Sequence, residues 1–129
     1  MPRYPHTPRR RRGSSLESTS FGRVTDRLEH ITRILGSDAA VADLLDVSRA
    51  QPRRWREGQT PDAENRDRII GLDAVIALLS GFLSEGSIPK WLNGVNAHLD
   101  DRRPVSVLRE GRIADVIAAI EAQKAGAYA

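Results

Sequence analysis

From Phe21 onward, apolar residues recur at three- and four-residue steps. Phe21, Val24, Leu28, Ile31 and Ile34/Leu35 share one face of a helix predicted over about Ser20 to Leu35, with Gly36 as its stop. Ser37-Asp38 is a capping start for a second helix, Ala39 to Leu45, whose Val41, Leu44 and Leu45 line one side. Asp46-Val47-Ser48 breaks the chain, and a third short helix runs to Glu57 before Gly58. Thr60-Pro61-Asp62 then offers an N-cap, a first-turn proline and an acidic start. The helix it opens is expected to reach about Leu83, with Ile69, Leu72, Val75, Ile76, Leu79, Phe82 and Leu83 as its stripe. Gly71 and Gly81 each weaken this helix by roughly 1 kcal/mol against alanine, which points to a close helix approach or a bend.

Beyond Ser84 to Ser87 the elements shorten. Pro89 to Leu92 ends at Asn93-Gly94, a turn follows, and Pro104 to Glu110 is stopped by Gly111. A last helix, Arg112 to about Lys124, carries Ile113, Val116, Ile117 and Ile120 on one side. No segment alternates as a strand would, and no repeat or sustained heptad is present. The expected fold is all-α: an N-terminal helix-turn-helix-like bundle joined by a long helix to a small C-terminal helical domain. The expected division is an arm at 1–19, the bundle and long helix at 20–83, and the C-terminal domain at 84–129.

Charge changes the picture only when it is localised. The formal net charge of +3 hides an asymmetry: residues 1–20 carry five arginines against Glu17, and the remainder is close to neutral. The basic run Arg9-Arg10-Arg11-Arg12, with Pro2, Pro5 and Pro8 before it, reads as a disordered arm. It is suited either to DNA phosphates or to plain solvation. No apolar h-region follows it, so it does not read as a secretory signal, and no run approaches the ~20 apolar residues needed to span a bilayer. The expected location is the cytoplasm.

Candidate chemistry is thin. The chain has no cysteine, and its three histidines, His6, His30 and His98, fall at no metal-ligand spacing. Asp100-Asp101 reads as a solvated turn, since adjacent turn residues point apart and Arg102-Arg103 follow at once. There is no phosphate-binding glycine loop and no nucleophile elbow. The sequence therefore argues for binding without catalysis, and for no cofactor and no metal.

Two binding surfaces remain. Around the third helix, Arg49, Gln51, Arg53, Arg54 and Arg56 surround Trp55, a set suited to base edges and phosphates in a major groove, with Trp55 as core anchor. Pro52 lies four residues after Ser48, so the helix is expected to begin late, near Gln51-Pro52. In the last third, Arg102, Arg103, Arg109 and Arg112 cluster near a turn, where they can fork onto a partner's carboxylates or pair locally with Asp100, Asp101, Glu110 and Asp115. Trp91 is more readily core than interface. Tyr128, near the end of Ala125-Gly126-Ala127-Tyr128-Ala129, suits either a plug for a partner's cleft or a frayed terminus once the chain leaves the helix after Lys124.

The series Asp-Val-Ser, Arg-Arg-Trp-Arg-Glu-Gly-Gln-Thr-Pro, Trp-Leu-Asn-Gly-Val-Asn, Leu-Asp-Asp-Arg-Arg-Pro and Leu-Arg-Glu-Gly-Arg resembles the Xre/MbcA/ParS antitoxin family over roughly Ser20 to Ala129. The resemblance implies a type II antitoxin that neutralises a RES-domain, NAD-consuming toxin by occluding its active site, and that autorepresses its operon. It carries toxin binding onto Trp91, Asn93, Asn96, Leu99, Arg102, Arg103, Pro104, Leu108, Gly111 and Arg112, and DNA binding onto 48–56. Pro52 and the arginine arm depart from the pattern. The expected partners are a RES-domain toxin and operator DNA, in a homodimer or a higher hetero-oligomer. A second class of function fits the same residues: a stand-alone helix-turn-helix transcriptional regulator.

Overall fold

A computed structural model describes residues 24–127, with the side chain of Ala127 left out. The arm at 1–19, the predicted start of the first helix at Ser20, and Tyr128 lie outside the described residues. Among the described residues all regular elements are helices, apart from an isolated antiparallel bridge between Asn96 and Arg102. The elements are α1 (24–35), α2 (Asp38–Leu45), α3 (Gln51–Arg56), α4 (Ala63–Ser80), α5 (Ile88–Asn93), α6 (Pro104–Arg109) and α7 (Ile113–Ala127). Short 3-10 turns occupy Glu85–Ser87 and Ala97–Leu99. The all-α architecture read from the sequence is the one observed.

Local chemistry sets most boundaries. Gly36 ends α1 at φ 98°, and its N–H donates to the Thr32 carbonyl at 2.8 Å. The Ser37 hydroxyl accepts from the Ala40 N–H at 3.1 Å, satisfying one of the orphan donors at the start of α2. Asp46 stops that helix in the left-handed region, φ 59°, which aspartate tolerates better than most residues. The third helix begins at Gln51, where Pro52 sits in the first turn and loses no helical hydrogen bond.

Two boundaries of α4 and one of α7 differ from the expectation. The cap of α4 is Asp62, not Thr60, so Pro61 lies outside the helix; the Asp62 carboxylate accepts from the Asn65 N–H at 2.8 Å. This carboxylate answers the helix dipole as well as the orphan N–H, an advantage Thr60 lacks. The helix ends at Ser80, and the stripe residues Phe82 and Leu83 follow in a turn, where they still pack against the core. α7 does not stop at Lys124 but continues through Ala125 and Gly126 to Ala127.

One apolar core runs through the described chain from Val24 to Ile120. Leu28 and Ile31 of α1, Ile69, Leu72, Ile76 and Leu79 of α4, Ile88 and Leu92 of α5, and Ile120 of α7 are fully buried in it. Each such side chain contributes roughly 1.5–3 kcal/mol relative to exposure. The central helix α4 packs against α7, and Gly71 is the reason it can approach so closely. A Cβ there would stand 2.2 Å from Ile113 Cδ1, so the glycine weakens the helix but opens the seam.

Candidate partner-binding surface

The segment from α5 to α7 is built by burying alternate faces. Ile88 and Leu92, one turn apart, point into the core and leave Trp91 half-buried and Asn93 exposed. The Trp91 indole N–H donates to Gln123 Oε1 at 2.7 Å, which ties α5 to α7. Asn93 Nδ2 donates to the Pro89 carbonyl at 2.8 Å, so this side chain seals its own helix.

Asn96 is the one buried polar residue among those described, and it organises the following loop. Its N–H donates to the Arg102 carbonyl at 3.1 Å, and its own carbonyl accepts from the N–H groups of Leu99 (3.0 Å) and Asp101 (2.9 Å). Its side-chain oxygen accepts from the His98 N–H at 2.9 Å. Asp100 and Asp101 both sit in the left-handed region, φ 56° and 61°, as turn formers. Leu99, Pro104 and Leu108 are buried and Gly111, φ 79°, is a helix stop, so these four build the framework beneath the surface.

The clustered arginines are largely engaged within the chain. Arg102 grips Glu110 with both terminal nitrogens, and this holds the Glu110 carboxyl below its ordinary range. Arg112 donates to Asp115 at 2.7 Å and more distantly to Glu110 at 3.4 Å. Arg109 reaches back to α2, where its Nε donates to the Asp43 carbonyl and its Nη2 pairs with the Asp43 carboxylate, both at 2.9 Å. Arg103 is exposed and has no hydrogen-bond or ion-pair partner among the described residues.

At the other end, Trp55 is 3% exposed and anchors α3, with Pro52 buried beside it. Arg56 forks onto the Asp38 carboxylate and so fastens α3 to α2. That hydrogen-bonded pair lowers the Asp38 pKa and raises that of Arg56. Gln51 donates to Gln59 Oε1 at 2.8 Å, and Arg53 pairs with Glu57 at 3.1 Å. Arg49 and Arg54 are exposed and have no partner among the described residues. Of the five cations and amides expected on this face, these two are therefore open for a partner.

Two hollows accompany these surfaces. One, of about 330 Å³, lies where α2, α4 and α6 meet and includes Leu44, Arg68, Leu72, Leu108 and Glu110 in its wall. The other, of about 390 Å³, lies beside Trp91 and Gln123. Sequence patterning does not single out Val95, which borders the second hollow and is 69% exposed, nor Gln123, nor Asp38 and Asp43 as acceptors. Val95 breaks no periodicity and so gave no signal, and the other three are long-range partners that spacing does not reveal. Among the described residues, no group of three or more His, Cys, Asp or Glu side chains could hold a metal ion, and no helix is long and apolar enough to cross a membrane.

Comparison with known proteins supplies the class. No protein-family model matches the chain. It is 38% identical over 88 residues to the probable mycobacterial cidal antitoxin Rv3188 of Mycobacterium tuberculosis (strain ATCC 25618 / H37Rv), over 68% of this chain and 76% of the relative. It is 32% identical over 89 residues to the mycobacterial cidal antitoxin MbcA of Mycobacterium bovis (strain ATCC BAA-935 / AF2122/97), over 68% of this chain and 79% of MbcA. Its fold matches a chain in the crystal structure of the M. tuberculosis MbcT-MbcA toxin-antitoxin complex with a TM-score of 0.68 and 28% identity, over 79% of this chain and 94% of the other. An all-helical chain with these relatives is an antitoxin. It belongs to the mycobacterial cidal antitoxin family.

Proposed function

We propose that this antitoxin neutralises a cognate protein toxin by binding it through residues 84–129 and covering its active site with the end of α7. The observation that carries the reading is the overhang of that helix. Ile120 is fully buried, and every residue from Glu121 to Gly126 is exposed or half-exposed. Ala122, Ala125 and Gly126 make this end slim, so that it fits a narrow cleft without repacking the core. The relative of known structure was crystallised with a toxin, which supports a protein partner.

By the family resemblance the toxin is of the RES-domain type and consumes NAD. The antitoxin then acts by stoichiometric occlusion in the cytoplasm, is not itself an enzyme and takes no cofactor. Trp91, Asn93 and Asn96 position the loops of the surface, while Arg103 is the arginine free to meet a partner carboxylate. Arg102, Arg109 and Arg112 hold the framework in shape.

The open cations Arg49 and Arg54 support a second activity. Exposed beside the short α3, they suit phosphate contacts, and the complex would repress its own operon through them. The decisive experiment for the first reading is co-expression of the full chain with a tagged polypeptide encoded beside it, followed by affinity purification and a growth assay. A stable complex with rescued growth is expected. Rescue that needs no complex, or no rescue at all, overturns the reading and leaves the stand-alone regulator.

A further inference from the structure

Resting on that reading, we infer that the loop between α5 and α6 is a preformed docking point for the toxin, with Val95 as its apolar knob and Lys90 and His98 meeting an acidic group on the partner. Of the two exposed large apolar residues among those described, Val95 at 69% is much the more open, Ile70 being 40% exposed. A lone exposed valine is ordinary on a protein surface. What distinguishes this one is how it is held and what stands beside it.

The loop is fixed on both sides of the knob. Asn93 Nδ2 donates to the Pro89 carbonyl at 2.8 Å, and the Gly94 N–H closes on the Trp91 carbonyl at 3.4 Å. A Cβ on Gly94 would lie 3.1 Å from the Lys90 carbonyl, so the backbone turns there against its own helix. On the other side Asn96 is buried and makes hydrogen bonds to Leu99, Asp101, Arg102 and His98. A valine presented by so constrained a backbone loses little conformational freedom on binding, which favours affinity.

Beside the knob lies the hollow of about 390 Å³, lined by Lys90, Trp91, Val95, Asn96, His98 and Gln123 among others. It combines a half-open indole, a hot-spot residue type, with one ammonium and one imidazole, and none of its lining residues bears a carboxylate. Lys90 has no hydrogen-bond or ion-pair partner among the described residues. The complementary occupant is a protein segment with an apolar side chain flanked by Asp or Glu. Gln123 belongs to both this hollow and the overhanging end of α7, so the docking point and the occluding end are continuous.

The test uses the full chain, the tagged polypeptide encoded beside it as probe, and three exposed substitutions: Val95→Asp, Lys90→Glu and, as control, Ile70→Asp. All three variants should melt within about 3 °C of the parent, since none of the three side chains belongs to the apolar core. The inference predicts dissociation constants raised at least about tenfold for Val95→Asp and Lys90→Glu, with Ile70→Asp unchanged. It also predicts that the Lys90→Glu effect shrinks in high salt. Parent-like binding by Val95→Asp overturns the docking point while leaving the neutralisation reading intact. Failure of the parent chain itself to bind overturns both.

Discussion

The α2–α3 unit and the α5–α7 segment carry similar numbers of arginines and use them differently. In the first, Arg56 is fastened to Asp38 and Arg53 to Glu57, but Arg54 on the exposed face of α3 and Arg49 in the turn before it remain open. In the second, Arg102, Arg109 and Arg112 are engaged by Glu110, Asp43 and Asp115, and what is left open is one arginine, Arg103, beside an apolar knob, a half-buried indole and a slim helix end. One surface is suited to polyanions and the other to a protein. A run of basic residues does not by itself tell which, because its use depends on whether the fold brings carboxylates alongside.

The comparison is broken most strongly through the aromatic anchors. Trp55→Ala should destabilise the chain by about 3–5 kcal/mol, because the indole is buried in the shared core. Trp91→Phe should lose only about 1 kcal/mol, essentially the hydrogen bond to Gln123. Urea denaturation of both variants gives the ratio directly. Equal losses would mean that Trp91 is as much a core residue as Trp55.

A smaller effect separates the ion pairs. Arg109→Ala should reduce stability by about 1 kcal/mol or less, since the guanidinium is a partly exposed clasp on α2. Arg103→Ala should stay within about 0.5 kcal/mol of the parent, as it has no intramolecular partner to lose among the described residues. A large loss for Arg103→Ala would show that this side chain is engaged in the free protein.

Acid provides the finest test of the N-terminal clasp. Arg56 depresses the Asp38 pKa in the folded chain, so the unfolded chain binds that proton more tightly. The stabilisation is therefore full above the ordinary carboxylate value near pH 4 and is lost as pH falls through the depressed folded value. Asp38→Asn should flatten that part of the stability curve measured by thermal melts from pH 6 to pH 2. An unchanged acid limb would assign it to other carboxylates.

Much of the fold was legible because its signals are local. Ser37, Gly36 and Gly111 act as the cap and stops that their types predict, and Pro52 set the late start of α3. Gly71 was readable as a close approach, although its neighbour Ile113, 42 positions away in the chain, was not. The end of α4 was hidden because Phe82 and Leu83 continue the apolar pattern after the helix has stopped, so periodicity alone could not mark the boundary. The overrun of α7 passes through Ala125 and Ala127, the strongest helix formers, which flank the single unfavourable Gly126. The surface was less legible. Arg56 with Asp38 and Arg109 with Asp43 are separated by 18 and 66 positions, and only the packed structure shows that these cations already have partners.

The shared core also decides how the central claim must be tested. Removing residues 85–129 would strip Ile88, Leu92, Val116 and Ile120 from that core, so its failure would report unfolding. Removing only 125–129 shortens the overhang and leaves every buried residue among those described in place. The direct measurement is growth of cells expressing the toxin together with the full chain, the chain lacking 125–129, or the Arg49→Ala/Arg54→Ala double variant. Rescue by the full chain and the double variant, with none by the shortened chain, is the predicted result. Full rescue by the shortened chain, with rescue lost in the double variant, would contradict it.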